Sequence, residues 1–195
     1  MEPLIHRLLL ALLLLVPCAG VRAQAGVHAG MVRAQATFSL GLLNARQESR
    51  YYLYGDLEGM LNDHLGLDGS IYVQLGSSKG ELRSTSAFFN SDMRAHTLLF
   101  GPNYHFRPHK PLDVYAGVQP GLHLVLEPAP FGIGPSIDHA AIAPAASVVG
   151  GVAYYGSFFH LFGQARGIWG NGVGGSVAYG ISELRLSFGL GFNFN

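Results

Sequence analysis

Nine histidines are spread over the 195 residues, and histidine is the side chain most often recruited as a metal ligand or as a base near neutral pH. Their spacing builds no site. His105 and His109 are four apart, but Arg107 to Pro111 reads as a turn and no helix aligns the two rings, so zinc binding is not expected. Gly170, Gly172 and Gly175 match G-x-G-x-x-G; a dinucleotide site needs a helix next, Ser176 to Tyr179 offers none, and the stretch reads as loop. A nucleophile and base could be brought together from separate segments, yet no pair stands out, and neither a catalytic residue nor a cofactor is expected. What remains is electrostatic: Arg33, Asp56, Glu58, Asp68, Asp113, Arg166, Glu183 and Arg185, with Arg50 beside them, stand among apolar neighbours.

The elements that position these charges are β-strands. From Ile181 to Phe194 the chain alternates: Leu184, Leu186, Phe188, Leu190, Phe192 and Phe194 share one face, and Glu183, Arg185, Ser187, Gly189, Gly191 and Asn193 share the other. The same alternation predicts strands over 31–42, 50–61, 65–76, 93–106, 112–126, 143–155 and 158–169, eight with the last. In the first, second, third, fifth and last, charged residues oppose the leucine-rich set, whereas 143–155, built from Ala, Val and Gly, alternates only weakly. Connections after the second, fourth and sixth strands are short (62–64, 107–111, 156–157), whereas residues 77–92, 127–142 and 170–180 read as long loops. Tyr104, Phe106, Tyr154, Tyr155, Phe158, Phe159, Phe192 and Phe194 gather at the short-turn end, where an aromatic girdle would sit, and Trp169 is placed as an anchor towards the other end. Pro102, Pro120 and Pro144 fall inside strands, each removing a ladder hydrogen bond that a bulge or shifted strand end must absorb.

The N-terminus reads as a secretory signal over residues 1–25: Arg7, an apolar run from Leu8 to Val16, and small residues permitting cleavage after Ala23 or Ala25. Cys18, the only cysteine, lies within it, and Pro17 before it is a poor match to a lipoprotein site. Taking Glu2, Arg7 and Arg22 from twelve basic and twelve acidic residues leaves ten and eleven, which provides no basic footprint for nucleic acid. Residues 26–195 suffice for one domain, and 27 glycines with 9 Tyr and 12 Phe suit a many-stranded barrel.

Two stretches carry a family resemblance: Ser187-Phe188-Gly189-Leu190-Gly191-Phe192-Asn193-Phe194, and Phe100-Gly101-Pro102-Asn103-Tyr104-His105-Phe106 before a short turn. Over residues 30–195 the chain resembles the small OmpA-like or OmpX-like outer-membrane β-barrel proteins of Gram-negative bacteria. The resemblance implies that Ser187, Gly189, Phe192 and Phe194 form a C-terminal signal for the barrel-insertion machinery; here Asn195 follows the final aromatic. Some such barrels are lipid A deacylases marked by His-x-Ser, and no histidine here has serine two places on.

The expected fold is therefore all-β: a closed antiparallel eight-stranded transmembrane barrel in the outer membrane, lipid outside and a polar charge network inside. A barrel of this size is filled by its own side chains, so paired charges would plug it rather than line a pore. The expected role is structural, adhesive or surface-interacting, with partners meeting the loops at 77–92 and 127–142, where Phe88 and Phe89 are the most prominent apolar pair. A lipid-modifying enzyme is one alternative. A soluble secreted barrel holding an apolar ligand is another, and it requires the leucine set to face inward.

Overall fold

The computed structural model describes residues 26–43, 49–76, 78–84, 87–127, 139–174 and 177–194. Those residues form nine strands and no helix: β1 (Val32–Leu43), β2 (Ser49–Met60), β3 (Leu65–Leu75), β4 (Ser78–Ser84), β5 (Ala87–His105), β6 (Leu112–Glu127), β7 (His139–Tyr155), β8 (Phe159–Gly174) and β9 (Val177–Phe194). Neighbours pair antiparallel in the order β3-β2-β1-β9-β8-β7-β6-β5, and β3 pairs back onto β5, which closes an eight-stranded barrel. Closure leaves none of these eight strands with a bare edge. The short turns join β2 to β3, β5 to β6 and β7 to β8 at one end. In the first of them Asn62 Oδ1 accepts from His64 N (2.9 Å) and Leu65 N (2.8 Å), a side chain replacing the backbone acceptor of a turn.

The ninth strand lies where the sequence reads as loop. Ser78 pairs with Met93 and Ser84 with Ala87, so β4 forms a two-stranded ribbon with the first part of an extended β5. The register sets Lys79, Glu81 and Arg83 opposite Asp92, Asn90 and Phe88; without a continuous apolar face this ribbon lacks the alternation that marks the barrel strands. Likewise β7 begins at His139, four residues before its expected start, and β8 continues through Gly170 and Gly172 to Gly174. Residues 1–25, 128–138 and 175–176 lie outside the described residues, as do the side chains of Phe88 and Phe89.

The pleat sorts the side chains. Leu53, Leu57, Ile71, Leu98, Phe100, Val118, Leu122, Val148, Leu161, Leu184, Leu186 and Leu190 project outward all round the wall, and Phe188 is 79% exposed. Arg185, between Leu184 and Leu186, is 0% exposed. The largest fully buried side chains are Arg33, Arg166 and Arg185, then Tyr52, Tyr54, Tyr72 and Tyr115, so the core is charged and aromatic and the surface is oily. Tyr104, Phe106, Tyr154, Phe158, Phe192 and Phe194 ring the outside at the short-turn end, and Trp169 is exposed further up. Tyr155, expected in that ring, points inward and is buried, because its parity on β7 places it with Ala153 and Val149.

The prolines are absorbed by gaps rather than bulges. The β5–β6 ladder runs from Arg94↔Leu126 to Leu99↔Gly121 and resumes at Asn103↔Gly117, so Pro102 and Pro120 border one interruption. There the strands stay close: a Cβ on Gly101 would lie 2.5 Å from the Val118 carbonyl oxygen. Pro144 falls one residue beyond Ala145↔Gly170, the first pair of the β7–β8 ladder. The β1–β9 ladder also opens, between Gln35↔Gly191 and Ser39↔Ser187, and Thr37 Oγ1 spans it by donating to Phe188 O at 2.8 Å.

Candidate functional site: the buried charge network

Every barrel strand contributes inward polar groups, and they meet in two clusters. Nearest the short turns, Arg33 on β1 donates to Glu58 on the adjacent β2 and to the Tyr155 hydroxyl, and its guanidinium lies 5.2 Å from the Tyr115 ring centre. Glu58 Oε1 also accepts from Asn103 Nδ2 (3.0 Å) and lies 3.1 Å from His105 Nε2. The other ring nitrogen of His105, Nδ1, is 2.5 Å from Asp113 Oδ2, while Asp113 Oδ1 accepts from Arg107 N at 3.0 Å. With a carboxylate on each nitrogen, only the imidazolium can donate to both.

Asn103 links this set to Asp68 (3.3 Å), which also accepts from Gln119 and from Ser70 Oγ (3.1 Å). Arg166 on β8 reaches across the barrel to Gln119, to Ser70 Oγ (3.1 Å) and to Asp68 (3.4 Å). Asp56 joins at the side, accepting from the Tyr54 hydroxyl (2.7 Å), with its Oδ2 3.2 Å from Ser70 Oγ.

Above them a layer of tyrosines separates the second cluster. Arg185 lies 3.9 Å from the Tyr52 ring centre and 4.6 Å from that of Tyr72, with Glu183 2.8 Å from its Nη2. The Tyr52 hydroxyl donates to Glu183 at 2.9 Å. Tyr72 faces Arg166 on its other approach, at 5.7 Å, so one ring serves a cation in each cluster.

The eight charged residues read from alternation thus sit inside: Arg33, Glu58 and Asp113 in one chain through His105, Asp68 with Arg166, Asp56 beside them, and Glu183 with Arg185 apart. Asn103, His105, Gln119 and the tyrosines complete the network. Their inward parity is visible in the sequence, but none is of a permanently charged type that marks it as a member of the network. Chemically the arrangement neutralises and cross-braces. Its hydroxyls bond to groups enclosed in the lumen, Tyr52 to Glu183 and Tyr54 to Asp56, with Thr97 Oγ1 2.9 Å from His123 Nδ1, and among the described residues no group of His, Cys, Asp or Glu is arranged to hold a metal ion. His105 is sealed inside while His109 is exposed on a turn, so the two do not converge.

Solved structures with this architecture exist. The chain is similar to Neisserial surface protein A (NspA), at 15% identity and a TM-score of 0.55, over 84% of this chain and 94% of that one. It is similar to OprG from Pseudomonas aeruginosa, at 12% identity and a TM-score of 0.57, over 87% and 98%. This is the fold of small outer-membrane β-barrels. Ail, the attachment invasion locus protein of Yersinia pestis, aligns at 12% identity and a TM-score of 0.53, over 85% and 99%. No family model matches the chain, and no curated protein matches it by sequence. Identities this low carry the fold alone, so the network above is a property of these residues.

Proposed function

We propose that the chain is an integral outer-membrane protein whose plugged barrel is a rigid stand for its long loops, with a structural, adhesive or surface-interacting role and no catalysis. One observation carries the membrane reading: the apolar face is outside on all eight strands, and the buried charges are inside. In water that inversion would expose leucine and phenylalanine around the whole circumference, far beyond what soluble monomers tolerate. In lipid it is the low-energy arrangement. A soluble ligand-binding barrel requires the reverse facing.

The buried network favours a plug over a pore, because Arg33, Arg166, Arg185, Glu58, Asp68, Asp113 and Glu183 have near-zero exposure and form ion pairs within the lumen, Arg166 reaching Asp68 from the opposite wall. The surface role is supported by the likeness to Ail, itself solved with the heparin analogue sucrose octasulfate, and by the pairing of β4 with an extended β5 at the end away from the short turns. In this reading Ser187, Gly189, Phe192 and Phe194 serve the insertion machinery: Phe192 and Phe194 are exposed on the outer wall, and Ser187 faces in.

The deciding experiment places single labels at Leu186, Leu190 and Ser187 of the refolded chain in lipid vesicles. Lipid-dissolved quenchers are expected to reach the first two and spare the third. Equal shielding of Leu186 and Ser187 would overturn the reading, as would a mature protein that stays soluble without detergent.

A further inference from the structure

The short-turn mouth is closed by residues 26–31, which belong to no strand. Val27 and Met31 are fully buried and pack in the interior cluster that contains Met60 and Tyr155. Main-chain bonds hold the segment: Gly30 N donates to Met60 O (3.0 Å), Met60 N to Met31 O (2.8 Å) and His109 N to Val27 O (3.2 Å). Gly26 (φ 95°) and Gly30 (φ 82°) take left-handed conformations, which let the chain dip Val27 inward and climb out again. A Cβ on Gly26 would lie 2.6 Å from Lys110 N, so the segment runs flush against the turn between β5 and β6.

One side chain ties this segment to both neighbouring turns. Asp63, between β2 and β3, accepts from Ala29 N at 2.9 Å through Oδ1, and its Oδ2 lies 3.1 Å from His109 Nε2. Both partners of that pair are about half exposed, in contrast to everything they cover. Two residues further in on the same faces stand Arg33, after Met31, and Glu58, before Met60, where the buried chain to His105 and Asp113 begins.

We propose that residues 26–31 form a removable strap, latched by Asp63 and His109, which seals the short-turn mouth and keeps water and small ions off the Arg33, Glu58, His105 and Asp113 chain. It rests on the membrane-barrel reading, because a gated mouth matters only where the barrel crosses a barrier. The barrel is thereby closed by two devices in series, a fixed side-chain plug and a displaceable cap.

The test uses the full mature chain in detergent micelles with Met60→Cys as reporter and a charged, water-soluble methanethiosulfonate as probe. With the strap seated, Met60→Cys should react as slowly as the deeply buried control Leu99→Cys. Adding Asp63→Ala removes a charge-assisted hydrogen bond from the latch, so labelling of Met60→Cys should accelerate about tenfold or more while Leu99→Cys stays slow. Ala29→Pro removes the same bond from the strap side and should act alike, which covers the case in which one variant does not fold; heat-modifiable mobility reports the intact barrel. Fast labelling with the strap intact, or labelling equally slow with and without the latch, would overturn the proposal. Failure of the membrane reading shows separately, as loss of lipid quenching at Leu186.

Discussion

Replacing Glu58 with leucine asks whether the barrel is a filled, low-dielectric core. The substitution removes the acceptor for Arg33, for Asn103 Nδ2 at 3.0 Å and for His105 Nε2 at 3.1 Å, all in residues with almost no exposure. Breaking a buried ion pair from one side costs about 3–5 kcal/mol, because the surviving charge stays desolvated. The Asn103 N–H that loses this acceptor adds about 1–3 kcal/mol, while the same amide keeps Asp68 at 3.3 Å. His105 retains the Asp113 contact. The total approaches the whole stability of an ordinary domain, about 5–15 kcal/mol.

Two companions resolve the causes. Glu58→Gln keeps an acceptor while losing the charge and should fall between wild type and Glu58→Leu. Arg33→Met combined with Glu58→Leu removes both charges and should recover most of the ion-pair cost, since an apolar replacement of a buried pair is often near neutral. Guanidinium unfolding in lipid vesicles, followed by heat-modifiable gel mobility and tyrosine fluorescence, measures all four proteins. A Glu58→Leu cost below about 1 kcal/mol, with no recovery in the double variant, would refute the reasoning, because that is the behaviour of a hydrated, screened pair.

Other perturbations probe the wall and the cap. Gly101→Ala should destabilise the barrel by about 1–3 kcal/mol in the same unfolding assay, because its Cβ would meet the Val118 carbonyl where the β5–β6 ladder is already open. Leu186→Arg, on the outer face near mid-strand, should cost about 2–4 kcal/mol in vesicles, and a value near zero would contradict lipid contact. The Asp63 carboxyl is held below its ordinary value, first by the Ala29 N–H and then by His109. A carboxyl with a lowered folded value stabilises above its unfolded pKa and loses that effect as pH falls through the folded one. Strap closure should therefore persist at neutral pH and fail only below the usual carboxylate range, with Asp63→Asn abolishing the acid limb in a fluorescence reporter at Val27.

How much of this was legible depends on whether a feature is local. Alternation is local, and the eight barrel strands and their inward charges follow from residue parity: Leu184 and Arg185 already separate inside from outside. The pairing of β4 with the start of β5 is not legible, because a ribbon beyond the barrel has no obligation to keep one face apolar. Proximity to a turn points Tyr155 to the girdle, whereas its parity with Ala153 puts it in the lumen. The partnerships of Arg166 with Gln119 and Ser70, and of Arg33 with Tyr155, join strands distant in sequence and appear only on closure. The strap was the least legible, because Val27 and Met31 carry no periodicity and their burial depends on two turns far along the chain.

The seam between the first and last strands bears on assembly. Its ladder is divided by the unpaired stretch around Thr37 and Phe188 into a run beginning at Val32↔Phe194 and another ending at Leu43↔Glu183. A sheet being curled into a cylinder can then fasten one half of this join before the other, as two short zips instead of a single long one. The lone hydroxyl at Thr37 becomes the clasp between them, and a chain with valine there should still close but should leak open first along that line.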